Sequence, residues 1–346
     1  MKKLLFLIAA MLYCNHAFSQ KAELTVIPRL DLVPQIPINN KGNSDFYYGN
    51  SSLYTLLDGE LGEHFSYSAQ LHWMSRDTKY LYENTGYSNA TNWLDWANIT
   101  YSTGNWSFTL GKDYLAWGTY EEEAYDFDSY FELSSYFWNM FPGYEWAAKV
   151  GYTLPSETTT FEFQFATSPF GERFFSSKLY AYSLRWLGEY GNFKPIWSAH
   201  LMEIEKGKYL SLIALGNKWT VGKFDYVLDL TNMAVGTGHF FNQSMNVTGW
   251  VQYNMPRCEV FAKMGYAFCH ESDDWLGDGD EYSFEKDIVP TGLDSGKDYV
   301  FGGIGMHYYP IKNNKDLRLH GIVAANNYCD NMAVNIGATY FFRILK

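Results

Sequence analysis

The densest concentration of reactive groups in this chain lies between Leu115 and Gly143. Glu121, Glu122, Glu123, Asp126, Asp128 and Glu132 stand there without a single lysine or arginine among them. Six carboxylates with no local cation attract cations, and beside a water-filled passage they would turn anions away. The same stretch carries Tyr125, Phe127, Tyr130, Phe131, Tyr136, Phe137, Trp138 and Phe141. A solvated loop has little use for so many rings. Inward folding is therefore expected, with the carboxylates forming a constriction. The competing reading is an acidic external cap packed on its own aromatics.

A second set of polar groups is scattered but regular. Gln70 and His72, Glu145 and Lys149, Glu162, Arg185, His200, Asp225 and Asp229, Glu259 and Lys263, and Arg318 and His320 all sit in segments whose alternate positions are apolar. They share the polar faces of those segments and are expected to line an enclosed lumen. Two roles are open for such mixed charges. They set up a transverse field at an aqueous constriction, or they pair across neighbouring strands and stabilise the wall. Catalysis is not expected. There is no G-x-S-x-G, P-loop or CxxC motif, and His270-Glu271 lacks the second histidine of a zinc helix. No nucleophile, base and orienting group assemble, so no catalytic residue, cofactor or metal is assigned. The acidic stretch 269–298 contains Asp278-Gly279-Asp280-Glu281, which does not fit an EF-hand loop, and reads as a solvated charge run.

These groups need elements to hold them, and the spacing says strands. Aromatic residues are 19% of the chain. They recur at every second position, as in Phe65-x-Tyr67 and on to Trp73, in Phe161-x-Phe163-x-Phe165, and in Tyr180-x-Tyr182-x-Leu184-x-Trp186. Period two is the mark of a strand with one apolar face. Sixteen such segments are predicted: 22–33, 46–61, 65–75, 93–102, 106–114, 144–153, 158–168, 178–189, 193–203, 209–219, 224–233, 243–254, 258–268, 299–310, 317–326 and 332–344. Fourteen is the alternative if the two segments within 193–219 are not strands. Short connectors rich in Gly, Pro and Asn (62–64, 103–105, 154–157, 190–192, 220–223, 255–257) alternate with mostly longer ones (34–45, 76–92, 115–143, 169–177, 234–242, 269–298). The parity is weakest at 204–208 and 327–331. Short turns on one side and long loops on the other are the pattern of an all-β, antiparallel up-and-down transmembrane barrel. Trp73, Trp93, Trp96, Tyr101, Trp106, Trp146, Tyr152, Trp186, Trp197, Trp219 and Tyr253 fall near strand ends and are expected in interfacial girdles.

The N-terminus reads as a secretory signal over 1–19. Lys2 and Lys3 precede an apolar run, and Ala17-Phe18-Ser19 places cleavage near Ser19-Gln20. The barrel is expected to occupy 20–346, in a bacterial outer membrane. Removing Lys2 and Lys3 takes the formal charge from −12 to −14, which excludes nucleic acid as a partner. Of the three cysteines beyond the signal, Cys269 and Cys329 are either bridged or, with Cys258, free thiols. The expected contacts are outer-membrane lipid and lipopolysaccharide, and small polar solutes within. The last strand, Asn335-x-Gly337-x-x-Tyr340-x-Phe342, looks like a signal read by the barrel-insertion machinery, although the chain runs on to Lys346.

One resemblance is specific enough to state. LLDGELGEHFSYSAQLHW (56–73) and NWLDWANITYSTGNWSFTLGKDYLAWGTYE (92–121) resemble the phosphate-selective porin O and P type of outer-membrane porins. Leu61-Gly62-Glu63-His64-Phe65-Ser66 stands at the family's turn between two strands, and Leu110-Gly111-Lys112 leads into its third external loop. The resemblance implies a 16-stranded barrel, often a homotrimer, admitting small hydrophilic solutes. Phosphate-selective members line their pore with Lys and Arg. The acidic stretch here departs from that, so the phosphate preference is not carried over.

Overall fold

The computed structural model describes residues 21–38, 45–47, 51–74, 93–123, 133–135, 137, 143–171, 175–235, 240–241, 244–269, 298–328 and 331–345. Alternation in the sequence becomes strand after strand. In order they are β1 (Ala22–Pro37), β2 (Asp45–Tyr47), β3 (Ser52–Leu61), β4 (Phe65–Met74), β5 (Leu94–Thr103), β6 (Trp106–Tyr114), β7 (Tyr144–Thr153), β8 (Thr159–Thr167) and β9 (Tyr180–Gly188). There follow β10 (Phe193–Glu205), β11 (Lys208–Val221), β12 (Phe224–Val235), β13 (Ser244–Asn254), β14 (Cys258–Cys269), β15 (Tyr299–Tyr308), β16 (Leu317–Asn326), β17 (Asn331–Tyr340) and β18 (Phe342–Leu345). From β3 to β17 each strand pairs antiparallel with the next.

β1 closes the ring. One edge pairs with β3 (Val26 opposite Thr55) and with the short β2; the other pairs with β17 (Leu32 opposite Ile336) and the short β18. β2 and β18 therefore continue β3 and β17, and the wall is a closed antiparallel barrel of 16 strands. Closure leaves no open sheet edge among the described strands, so their backbone groups pair within the wall, as a hydrocarbon environment requires. The 193–219 segments are both full strands, joined by the two residues Lys206-Gly207. The fifth external connector is thus a tight hairpin rather than a long loop. The first connector is shorter than 34–45, because Gln35 already pairs with Asp45.

Mid-strand outward positions are apolar and exposed: Leu110 64%, Met264 67% and Ile304 62%. Such a continuous apolar exterior is stable only against lipid. Rings gather where this band ends. At the short-turn rim Phe65 meets Tyr101, Trp106 meets Tyr152, Phe193 meets Trp219 and Phe224 meets Tyr253, with centroids 4.6–5.3 Å apart. At the loop rim Trp73 stacks on Trp93 and Trp146 meets Phe175. Trp96 is a correction to the girdle expected from sequence. The register shifts between Gln70 and Leu71, so Trp96 opposes Gln70 on the inner face. It is buried, and its indole N–H donates to Ser68 Oγ at 2.7 Å.

Candidate functional site inside the barrel

The chain leaves β6 at the loop rim and turns inward at once. Gln164 of β8 holds the turn with both ends of its amide. Its Oε1 accepts from Ala116 N at 3.0 Å, and its Nε2 donates to Tyr114 O at 2.9 Å. Trp117 follows, 2% exposed, packed edge-on against Phe137 and 4.7 Å from the His200 ring of β10. Arg185 of β9 reaches the Trp117 carbonyl. Gly118 then passes over β10 and β11 so closely that a Cβ there would lie 2.4 Å from Ser198 N and 2.8 Å from Ala214 O. Only a residue without a side chain fits.

The next turn is the short helix α1 (Tyr120–Glu123). Its first amides are unsatisfied within a helix, and the wall satisfies them. Asp229 of β12 accepts from Tyr120 N at 3.0 Å and from Glu121 N at 2.8 Å. Glu121 extends to β14, where Lys263 Nζ donates to its Oε1 at 2.5 Å; Ser135 N donates to the same oxygen at 2.9 Å. Tyr299 of β15 donates to the Ser134 carbonyl, and Leu133 packs where Gly303 leaves room. From β8 to β15 the segment is tied to one half of the inner wall.

The acidic residues therefore do not act alike. Glu121 is buried and neutralised by Lys263, so it anchors the segment. Glu122 is half-buried, with its amide near Thr119 Oγ1. Glu123 ends α1. Asp126, Asp128 and Glu132 lie outside the described residues, as does Cys329 of the Cys269–Cys329 alternative.

The regular polar residues point inward and are mostly engaged with neighbours. Gln70 donates to Asp95 at 2.6 Å, and His72 lies 2.8 Å from the same carboxylate. Lys149 pairs with Asp113 at 2.8 Å, and Arg185 with Glu162 at 2.6 Å. Glu145 accepts from the Thr167 hydroxyl. His200 is held between the Ser183 and Ser198 hydroxyls, each 2.6 Å away. Asp225 accepts from Thr220 and Asn254. Glu259 takes His307, Tyr309 and Lys315. Between the two roles open to these charges, the geometry is that of pairing across neighbouring strands.

Arg318 and His320 belong to a cluster whose other members, Arg29, Asp31 and Asn335, the alternation alone does not single out. Arg29 and Asp31 of β1 are buried and paired. Thr339 stands between Arg29 and Arg318 in register, as Gly337 stands between Asp31 and His320. Gly337 has no side chain, and in that space His320 Nε2 comes within 3.2 Å of Asp31 Oδ1. Asn335 donates to Asp31 at 2.9 Å. The only signal was the i, i+2 spacing of Arg29 and Asp31 within an apolar segment. Asp95, Lys112 and Asp113 also face inward without a sequence signal, because a register shift and the φ of 143° at Gly111 break the simple alternation there.

On β4 and β12 exposure of the inner face falls toward the loop rim, whereas Glu259, His307, Arg318 and Thr339 of β14 to β17 are buried at the short-turn end as well. Along β4 it runs from exposed Ser66 through half-buried Ser68 to buried Gln70. Along β12 it runs from half-buried Asp225 to buried Asp229 and Met233.

No protein-family model matches this chain, and no curated protein matches it in sequence. Solved structures do match in fold. The outer membrane channel DcaP of Acinetobacter baumannii is similar over 93% of this chain and 97% of its own, at 13% identity and a TM-score of 0.60. A loop L8 deletion mutant of OmpT, an outer membrane protein of Vibrio cholerae, covers 93% and 99% at 10% identity and a TM-score of 0.60. An anion-selective porin from Comamonas acidovorans covers 93% and 100% at 12% identity and a TM-score of 0.58. At these identities the likeness is one of architecture: the chain has the fold of outer-membrane porin barrels.

Proposed function

We propose that this chain is an outer-membrane porin through which small hydrophilic solutes or ions diffuse passively, without anion selectivity. The observation that carries this reading is the contrast between the two faces of one closed wall. The exterior is apolar, while the interior carries Asp95, Asp113, Glu145, Glu162, Lys149, Arg185 and their amide and hydroxyl partners. A barrel serving only as an anchor has no need of a charged interior, whereas polar solutes do. The lack of anion preference rests on the acidic content of 115–143 and on the interior carboxylates. The phosphate preference of the porin O and P type is not proposed.

The rest of the assignment follows from this reading. The mature chain, after cleavage near Ser19-Gln20, contacts outer-membrane lipid and lipopolysaccharide. It is inserted by the barrel machinery and assembles as a homotrimer; OmpT of Vibrio cholerae is itself described in a trimer form. Planar-bilayer recording tests the function directly. Stepwise conductance is expected, with a reversal potential in a KCl gradient that does not favour chloride. Complete insertion with no conductance under any condition rejects the reading. The close packing of the inner face toward the loop rim favours a second reading, a non-conducting barrel that docks partners. It requires that liposomes containing the protein never swell in small sugars and that a partner co-purifies.

A further inference from the structure

Among the described residues, the interior of the loop-side half packs a cluster of apolar side chains beside buried polar ones such as Gln164, Asp229, Asn246 and Lys263. Val33, Met202, Leu212, Met233, Phe301 and Ile322 come from β1, β10, β11, β12, β15 and β16, and all face inward. Each is 0–2% exposed. Leu115, Trp117, Leu133 and Phe137 of the inward segment join them in one continuous cluster. A ring of 16 strands is wide enough for an aqueous channel, and its own wall side chains do not fill it. Walls of such a channel are wet. Here the apolar wall residues are buried, and Leu115, Trp117, Leu133 and Phe137 pack in the same cluster with them. Polar solutes do not cross a dewetted apolar layer, since no group there replaces their hydration.

The contacts that hold the segment are of two kinds. The apolar packing is non-directional. The polar contacts are directional: Arg185 on the Trp117 carbonyl, Tyr120 on the Lys194 carbonyl, Tyr299 on the Ser134 carbonyl and, as charged partners of α1, Asp229 on its first two amides and Lys263 on Glu121. Asp229 and Lys263 both lie on the wall far around the ring from β6, where the segment begins. The Gln164 amide fixes the other end beside that strand. This is the arrangement of a flap, hinged at β6–β8 and fastened at β12–β14. We propose that Leu115–Glu123, with Leu133–Ser135 and Phe137, form a closed apolar gate fastened by Asp229 and Lys263, and that conduction requires its release. The proposal rests on the porin reading above and deepens it: diffusion is gated rather than permanent.

The test uses the full chain in planar bilayers and vesicles, with Cys258, Cys269 and Cys329 changed to serine and a Ser135→Cys reporter. Ser135 is 0% exposed, so a charged methanethiosulfonate reagent reaches that thiol only when the flap moves. In this background the channel is expected to be mostly closed and the thiol to label slowly. Lys263→Met and, independently, Asp229→Ala should each raise the open fraction and the labelling rate at least tenfold. Heat-modifiable migration on gels confirms that each variant is folded. Steady full conductance without either fastening mutation, with labelling no faster in the variants, overturns the gate. Fast labelling in the variants with conductance still absent overturns the porin reading beneath it.

Discussion

Gly118→Ala is the sharpest perturbation of the inward segment. The added Cβ would meet Ser198 N at 2.4 Å and Ala214 O at 2.8 Å. Those atoms belong to two strands of the wall, paired with each other through Ser198 and Ala214. They cannot retreat without breaking the ladder, so the segment has to lift. Overpacking of this kind costs about 1–3 kcal/mol. The closed arrangement bears that cost and the wall does not. At about 1.4 kcal/mol for each factor of ten, the open fraction should rise roughly 5- to 150-fold. Gly216 shares the contact from the wall side, since its Cβ would lie 2.9 Å from Gly118 O and 3.0 Å from Thr119 Cα. Once the segment has lifted for one methyl group, the second adds little. The double variant should therefore fall short of the sum of the singles by about 0.5 kcal/mol or more. Single-channel recording supplies the open fractions, and the heat-modifiability midpoint shows the barrel unchanged. If Gly118→Ala leaves the open fraction where it was, or if the two changes add fully, the segment does not press on the wall as described.

Asp31→Asn leaves the buried Arg29 without its carboxylate, a loss of about 3–5 kcal/mol, read as a lower midpoint of heat-induced unfolding in detergent. Leu110→Arg puts a charge on the lipid face in the middle of β6, which should cost about 2–4 kcal/mol and reduce folding yield into vesicles, while Ser102→Arg near the short turn should not. Tyr309, in the connector after β15, donates to Glu259 at 2.8 Å. Burial first, and then that carboxylate, push its phenol above the usual range. A raised value means the folded protein favours the protonated phenol. Its contribution is complete below about pH 10, the unfolded phenol's value, and is lost as pH rises beyond it. Circular dichroism should show stability falling more steeply above that pH in the native chain than in Tyr309→Phe.

Much of the architecture could be read from residue order, because a membrane barrel imposes one simple rule on every strand. Phe161, Phe163 and Phe165 face lipid while Glu162 and Gln164 face inward, and no distant contact is needed to know it. The rule fails where the backbone departs from regular pleating. The register shift opposite Trp96 turns a girdle residue into an interior one. The 204–208 connector could not be told from a loop by composition, since Lys206-Gly207 closes a hairpin as readily as it would open a longer excursion.

The candidate site was legible in kind and not in detail. Its rings and carboxylates marked 115–143 as more than a solvated loop, but neighbouring glutamates look alike in sequence. What separates Glu121 from Glu122 is Lys263, 142 residues away. Gly118 gave no hint of its role, because the backbone it passes belongs to strands some 80 and 96 residues further along. Residue order alone sets the alternation, the strand count within two, the apolar exterior and the polar interior, since these follow from each residue's own preference for lipid or water. Which charges pair with one another, where the inward segment is fastened and how its rings pack against the wall come from the folded barrel. Those depend on which strands a closed ring brings face to face, and no local preference carries that information.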